Sequence, residues 1–175
     1  MNKNMTAEEI RQQALALLEL AHIPLSADEK AGLQLWDFGL NNPARYGIQI
    51  VEYINNDRYC ARQLVMLPRQ TVPEHRHPPI GEDPGKAETF RVVWGKVWAY
   101  VDGKPTGAIA AEIVEEDKPH FSALRQIELH AGEQYTIGAN VSHWFHAGDD
   151  GAVVIEFSSP AQDKCDIFKD PRVSN

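Results

Sequence analysis

From Tyr46 onward the chain is a succession of short apolar and aromatic runs that Gly, Pro and Asp interrupt. Runs of this length and spacing are typical of antiparallel strands in a sandwich or a barrel. Turn residues such as Asp102-Gly103 and the stretch 148–151 separate them. The sequence therefore predicts an all-β antiparallel barrel, whose strands are residues 47–54, 59–67, 88–94, 96–101, 121–129, 134–137, 143–146 and 152–157.

Two helix starts precede these strands. Residues 6–9 and 26–29 both have the spacing of a capping box. Apolar residues at helical spacing follow the first as far as Pro24, and a shorter amphipathic segment through Leu35 follows the second. We therefore expect two N-terminal helices that flank the barrel.

The size of the chain and the lack of any linker favour one domain. A chain of 175 residues can bury a single good core, and no repeat or low-complexity tract divides it. We predict one domain over residues 1–175, with a helical N-terminal segment at 1–40, the barrel at 46–160 and a C-terminal tail at 161–175.

Composition excludes several partners. The formal net charge is -8 and the basic residues form no run, which disfavours nucleic acid and fits a small neutral substrate. No stretch approaches the ~18 to 20 apolar residues that span a bilayer, and the first residues lack the apolar core of a secretory signal. Cys60 and Cys165 lack a CxxC spacing, so we expect free thiols in a soluble cytoplasmic protein with no membrane partner.

Three histidines and one glutamate have the pattern of a metal site. His75 and His77 alternate along an extended segment, so both side chains can face one ion. Glu88 and His143 lie on predicted strands, and Glu88 shares its face with apolar Phe90. Three imidazoles and a carboxylate suit a borderline divalent transition metal. We therefore predict that these four residues are its ligands.

The same residues carry a resemblance to the cupins. Their first motif has Gly, five residues, His-x-His, then Glu and, seven residues later, Gly. His75, His77, Glu88 and Gly95 fill it here. Arg69 stands in place of its leading glycine, and ten residues rather than three or four separate the second histidine from the glutamate.

The second cupin motif is also present with substitutions. Gly132 and His143 have its spacing, whereas Gly138 and Asn140 replace its proline and its glycine. Together the two motifs imply a cupin-type barrel, or jelly roll, as the fold.

A closer resemblance is to the bacterial D-lyxose ketol-isomerase family. It extends from about Leu35 to the C-terminus and is clearest in residues 56–60, 73–79, 88–91 and 163–168. It implies a homodimer, a divalent metal that is usually manganese, and isomerisation of D-lyxose to D-xylulose through an enediol, with D-mannose and D-fructose as a further pair. Cobalt, nickel, iron and zinc also accept these ligands.

Three further residues are candidates for the chemistry. Glu156 interrupts an apolar strand, where it needs either an ion pair with an arginine or a catalytic role. Because its strand is expected to run beside that of His143, we predict that Glu156 is the general base. Lys86, at the end of the loop before Glu88, either binds the substrate and assists ring opening or charge stabilisation, or is exposed. Asp166 either binds sugar hydroxyls or lies in a solvated tail.

Two other functions use the same ligands. An Fe(II)-dependent dioxygenase also needs an ion with open coordination positions. A non-catalytic sugar-binding cupin would use the metal only to stabilise the barrel. Residues alone leave both alternatives open.

Overall fold

The computed structural model describes residues 5–174. Its helices are α1 (Ala7–Leu20) and α2 (Ala27–Ala31), with short 3₁₀ helices at Lys118–His120 and Asp163–Cys165. Its strands are β1 (Gln34–Trp36), β2 (Ile48–Asn55), β3 (Cys60–Met66), β4 (Thr71–Arg76), β5 (Glu88–Val101), β6 (Arg125–His130), β7 (Gln134–Ile137), β8 (His143–Ser158) and β9 (Ile167–Phe168).

Both predicted capping boxes form, and they fix the starts of the two helices. In each, the hydroxyl of the capping residue accepts from the backbone of a glutamate three residues on, whose carboxylate accepts in return. The second helix ends at Ala31, so its predicted extension to Leu35 is wrong. Residues 34–36 instead pair with β2 as strand β1. Pairing at the sheet edge therefore overrides the helical pattern there.

Two long bent strands, β5 and β8, connect the halves of the barrel. Residues 143–147 of β8 lie between β4 and β5, and residues 152–158 lie between β3 and β5. The predicted division into separate strands at 148–151 and at Gly95 is wrong, because β5 and β8 are continuous there. Residues 148–151 are nevertheless unpaired among the described strands, since the register passes from Gly95 and Ala152 directly to Val97 and Ala147. Gly95 has φ 75°, and a Cβ there would lie 2.2 Å from the oxygen of Gly151. Only glycine fits this crossing.

The bent strands produce two facing sheets with the core between them. One sheet has the order β1-β2-β3-β8-β5-β7, and the other has β9-β4-β8-β5-β6. The predicted all-β antiparallel barrel is confirmed. Side chains between the sheets form the main core, which includes Ile50, Leu64, Met66, Val92, Phe145 and Val154.

Helix α1 covers the outer face of one sheet. Its buried residues Ile10, Ala14 and Leu18 join Val65 of β3 and Val153 of β8 in a second apolar cluster. Burying an isoleucine, leucine or valine side chain of this cluster stabilises the fold by about 1.5 to 3 kcal/mol. Among the described residues, no helix has the length and apolar character needed to cross a membrane.

The predicted strands include neither β4 nor β9, although His75 and His77 were expected to alternate along an extended segment. Pro73 lies inside β4 and argues against a strand, because proline lacks the N–H that a ladder needs. The pairing of β4 with β8 shifts between Val72 and His75, so the proline falls in the irregular part of the ladder. The predicted strand at 121–129 begins only at Arg125, since the preceding residues leave the 3₁₀ helix in an irregular segment.

At two positions where the cupin motifs have glycine, this chain has another residue in the backbone conformation that glycine favours. Arg69 and Asn140 both have φ 60°, in the left-handed region that glycine enters most easily. The chain keeps the local turn geometry with other residues. Arg69 then uses its side chain to pair with Glu112 and Asp149.

Candidate active site

The three predicted histidines meet at one end of the barrel. His75 of β4 is paired in register with His143, the first residue of β8, and His77 follows directly after β4. All three are buried. One ligand atom from each lies within 4.8 Å of the others, so the group can hold a metal ion.

Hydrogen bonds orient the three rings. Each Nδ1 has an oxygen acceptor, which assigns the proton to Nδ1 and leaves Nε2 with a lone pair in the neutral ring. The acceptors are the Pro73 carbonyl at 2.9 Å for His75, the Val141 carbonyl at 2.9 Å for His143, and Asp166 Oδ1 at 2.5 Å for His77.

Glu88 brings a carboxylate to the same point. Its Oε1 lies 2.8 Å from His143 Nε2, and its Oε2 lies 3.4 Å from His77 Nε2. Yet Glu88 Oε1 and both Nε2 atoms are buried without a hydrogen bond. Lone pairs that face one another in a buried site repel unless a cation or a proton lies between them. The donor set therefore fits a divalent ion.

The charges around the histidines favour a cation. Burial lowers the pKa of His75 well below its ordinary value, and the neighbouring histidines add to the effect. Burial also opposes protonation of His77, but the hydrogen bond to Asp166 and the negative charge of Glu88, 3.4 Å from His77 Nε2, outweigh it and raise the pKa of His77 to about 9. Burial disfavours the Glu88 carboxylate, yet Lys86 and His143 hold its pKa well below the usual range.

The loop before β5 folds inward and buries Lys86. Gly85, with φ 97°, packs so closely that a Cβ would lie 2.3 Å from the carbonyl oxygen of His77. Lys86 Nζ lies 2.7 Å from Glu88 Oε2 and 2.7 Å from Glu156 Oε1. Burial lowers the pKa of Lys86, but the two carboxylates outweigh it and raise the pKa above the usual range. The residue is a buried ammonium and not an exposed loop lysine.

Glu156 is buried and faces the same cavity. It lies on β8 opposite Phe90 of β5 and Arg62 of β3. The expectation that its strand runs beside that of His143 is wrong, because both residues belong to β8. Its ion-pair partner is Lys86 and not an arginine. Its role as a base stays a prediction.

Asp166 lies behind a predicted ligand. Its carboxylate accepts the His77 Nδ1 proton and also lines the cavity. A contact with sugar hydroxyls stays a prediction. The structure also brings Arg62 into the cavity wall, which sequence reasoning missed. The one signal for Arg62 was a cationic side chain within an otherwise mostly apolar strand, Cys60–Met66.

The cavity has one aromatic wall and one charged wall. The centres of water-sized molecules can occupy about 70 Å³ of the cavity, and the empty space is about 560 Å³ when open solvent at the mouth is included. The ring of Phe168 stacks on that of His75, with 5.2 Å between the ring centroids. The Phe38 ring lies next to both Phe168 and Trp36, at centroid distances of 5.7 and 6.4 Å. Charged side chains form the other wall: Arg62, Lys86, Glu156, Asp163 and Asp166. Such a pocket suits a small polyol with apolar carbon faces.

Comparisons with known proteins identify close relatives. A D-lyxose ketol-isomerase of Thermofilum sp. (strain ex4484_79) is 52% identical over 166 residues, which are 95% of this chain and 92% of the relative. The D-lyxose ketol-isomerase of Cohnella laeviribosi is 47% identical over 94% of this chain and 91% of its own. A D-lyxose/D-mannose isomerase of Thermosediminibacter oceani is 44% identical over 99% of this chain and 96% of the relative. No protein-family model matches the chain.

Solved structures share the fold at low identity. Acinetobacter sp. DL28 L-ribose isomerase in complex with L-ribose superposes with a TM-score of 0.80 and 15% identity, covering 98% of this chain and 95% of that one. The ligand-free L-ribose isomerase of Cellulomonas parahominis superposes with a TM-score of 0.76 and 14% identity, covering 99% of this chain and 96% of that one. The shared fold extends over nearly the whole of each chain.

Proposed function

Because the chain belongs to the D-lyxose ketol-isomerase family, we propose that it is a divalent-metal-dependent aldose–ketose isomerase that interconverts D-lyxose and D-xylulose. The observation that carries the proposal is the buried cluster of lone-pair atoms on His77, His143 and Glu88, in one cavity with the Lys86–Glu156 pair. A relative named for both D-lyxose and D-mannose supports D-mannose and D-fructose as a second pair.

We propose that His75, His77, Glu88 and His143 hold the metal, with Mn(II) as the ion used. The grouped histidines and the adjacent carboxylate support this assignment. An ion held by these residues would supply Lewis-acid chemistry to the substrate oxygens. Mixed nitrogen and oxygen ligation also accepts Co(II), Ni(II), Fe(II) or Zn(II). The homodimer and the cytoplasmic location stay predictions.

The protein residues then have to move protons. In the open-chain aldose, the proton on carbon 2 transfers to the Glu156 carboxylate and returns to carbon 1, while the hydroxyl proton passes from oxygen 2 to oxygen 1. The product is the ketose, and no oxidant or organic cofactor is consumed. The Lys86 ammonium, 2.7 Å from Glu156, stabilises negative charge on the reacting oxygens. In this proposal Asp166 binds sugar hydroxyl groups.

The test is product formation from a panel of sugars. Protein loaded with Mn(II) is incubated without oxygen with pentoses and hexoses, and ketoses are quantified. We expect D-xylulose from D-lyxose at the highest kcat/KM, and slower formation of D-fructose from D-mannose. Sugar binding without a ketose would indicate a non-catalytic cupin. In a parallel incubation in air with Fe(II)-loaded protein, turnover that requires Fe(II) and consumes oxygen would indicate a dioxygenase.

A further inference from the structure

Arg62 is a buried cation that joins two carboxylates. Its side chain is 5% exposed. Nε and Nη2 donate to Glu52 Oε2 at 3.1 and 2.9 Å, while Nη1 and Nη2 donate to the two oxygens of Asp163 at 3.0 and 2.7 Å. The Asp163 contact is bidentate, a geometry that fixes a carboxylate in orientation as well as position.

One 3₁₀ turn connects Asp163 to Asp166, so fixing Asp163 also restrains the position of Asp166. The carbonyl of Asp163 accepts the N–H of Asp166 at 3.1 Å. Asp166 Oδ1 then accepts the Nδ1 proton of His77 at 2.5 Å. A series of hydrogen bonds therefore links Arg62 on β3 to the predicted metal ligand His77, which directly follows β4.

His77 needs such support more than the other two histidines. His75 and His143 are held in register within paired strands, whereas His77 lies just beyond the end of β4. Its ring is oriented by Asp166, and Asp166 lies just beyond the 3₁₀ turn that Arg62 anchors. A small rotation of this turn would move the acceptor of the Nδ1 proton and tilt Nε2 away from the other ligands.

We propose that Arg62 is a positioning residue, which fixes the metal ligand His77 through Asp163 and Asp166. The inference rests on the proposed metal site and deepens it. Arg62 touches neither the ligand nitrogens nor any reacting atom in this assignment. Its effect is therefore on how tightly, and in what geometry, the ion is bound.

The test compares two lysine substitutions. Arg62→Lys keeps the charge but loses the planar, bidentate contact. The control is Arg69→Lys, because Arg69 also pairs with two carboxylates, Glu112 and Asp149, in a part of the chain outside the cavity. We expect Co(II) affinity to fall roughly 10- to 100-fold in Arg62→Lys, as for other losses of ligand support, and to stay unchanged in Arg69→Lys.

A spectrum separates positioning from general destabilisation. The visible absorption of bound Co(II) reports ligand geometry, so Arg62→Lys saturated with Co(II) should give an altered spectrum while circular dichroism stays that of the parent. Asp163→Asn is the second variant if Arg62→Lys folds poorly, and it should weaken Co(II) binding by a similar factor. The double variant should lose little more Co(II) affinity than either single variant, because both substitutions remove the same Arg62–Asp163 contact.

The outcomes distinguish this inference from the proposed function. If the unaltered protein binds no Co(II), the metal site itself is wrong. If the unaltered protein binds Co(II), and both Arg62→Lys and Asp163→Asn bind it with parental affinity and spectrum, the metal site stands and the positioning role of Arg62 is wrong.

Discussion

Glu156→Gln is expected to keep the fold and the metal while turnover of D-lyxose falls on the order of 10² to 10⁴-fold, the usual cost of losing a positioned base. Glutamine has nearly the same shape and still hydrogen-bonds, so sugar binding should survive better than catalysis. Lys86 retains Glu88 as a partner at 2.7 Å, which keeps its ammonium paired in the variant. The loss should therefore appear in kcat and much less in KM.

Metal content, sugar affinity and turnover are to be measured on the same Glu156→Gln sample. Glu128→Gln is the matched control, because Glu128 lies on β6 with a 42% exposed side chain that pairs with Lys96 and His130. Near-normal turnover in Glu156→Gln would move the proton transfer to Lys86 or another cavity residue. Loss of metal would instead make Glu156 a ligand or a support for one.

Alanine at any of His75, His77, Glu88 or His143 is expected to weaken metal binding by more than the roughly 10- to 100-fold that losing a supporting partner costs. Each change removes a direct donor to the ion. Metal bound only to the native state stabilises it by about 2.7 kcal/mol when the free ion is at about 100 times Kd. The unaltered protein should therefore gain melting temperature when metal is added, and these variants should gain little.

Metal analysis and melting curves with and without Mn(II) measure both effects. His130→Ala is the matched control, since His130 has a 61% exposed side chain and lies outside the cavity. A ligand variant that keeps full occupancy and the full melting shift would remove that residue from the metal site. The same loss in His130→Ala would point to unspecific binding.

The sequence predicted the fold class because alternation and turn residues are local signals. The capping boxes predicted both helix starts, and register correctly placed Glu88 and Phe90 on one buried face. Pairing partners are not local. Residues 148–151 have the composition of a turn, and they have no strand partner in the described part of the chain, but the paired residues on both sides of them belong to the one strand β8. Pro73 argues against a strand at β4, because proline lacks an N–H for the ladder; the register shift in the pairing with β8 accommodates it.

The metal-ligand candidates were predictable because the spacing of residues along the sequence identifies them. His75 and His77 alternate in a short segment, and the cupin motifs add Glu88 and His143. Arg62 and the aromatic wall of Trp36, Phe38 and Phe168 come from distant segments, which only the closed barrel brings together. Asp166 lies in a segment after the last barrel strand that sequence reasoning could equally treat as solvated. Its contact with His77 depends on a 3₁₀ turn that no local pattern predicted.

Metal dependence is tested by measuring turnover of D-lyxose by chelator-stripped protein during titration with Mn(II). We predict no ketose from the stripped protein, and D-xylulose formation that rises to a plateau as the four-residue site fills. Co(II) or Ni(II) should restore part of the rate. Full activity in the stripped protein, or no ketose with any of these ions, would contradict a metal-dependent isomerase.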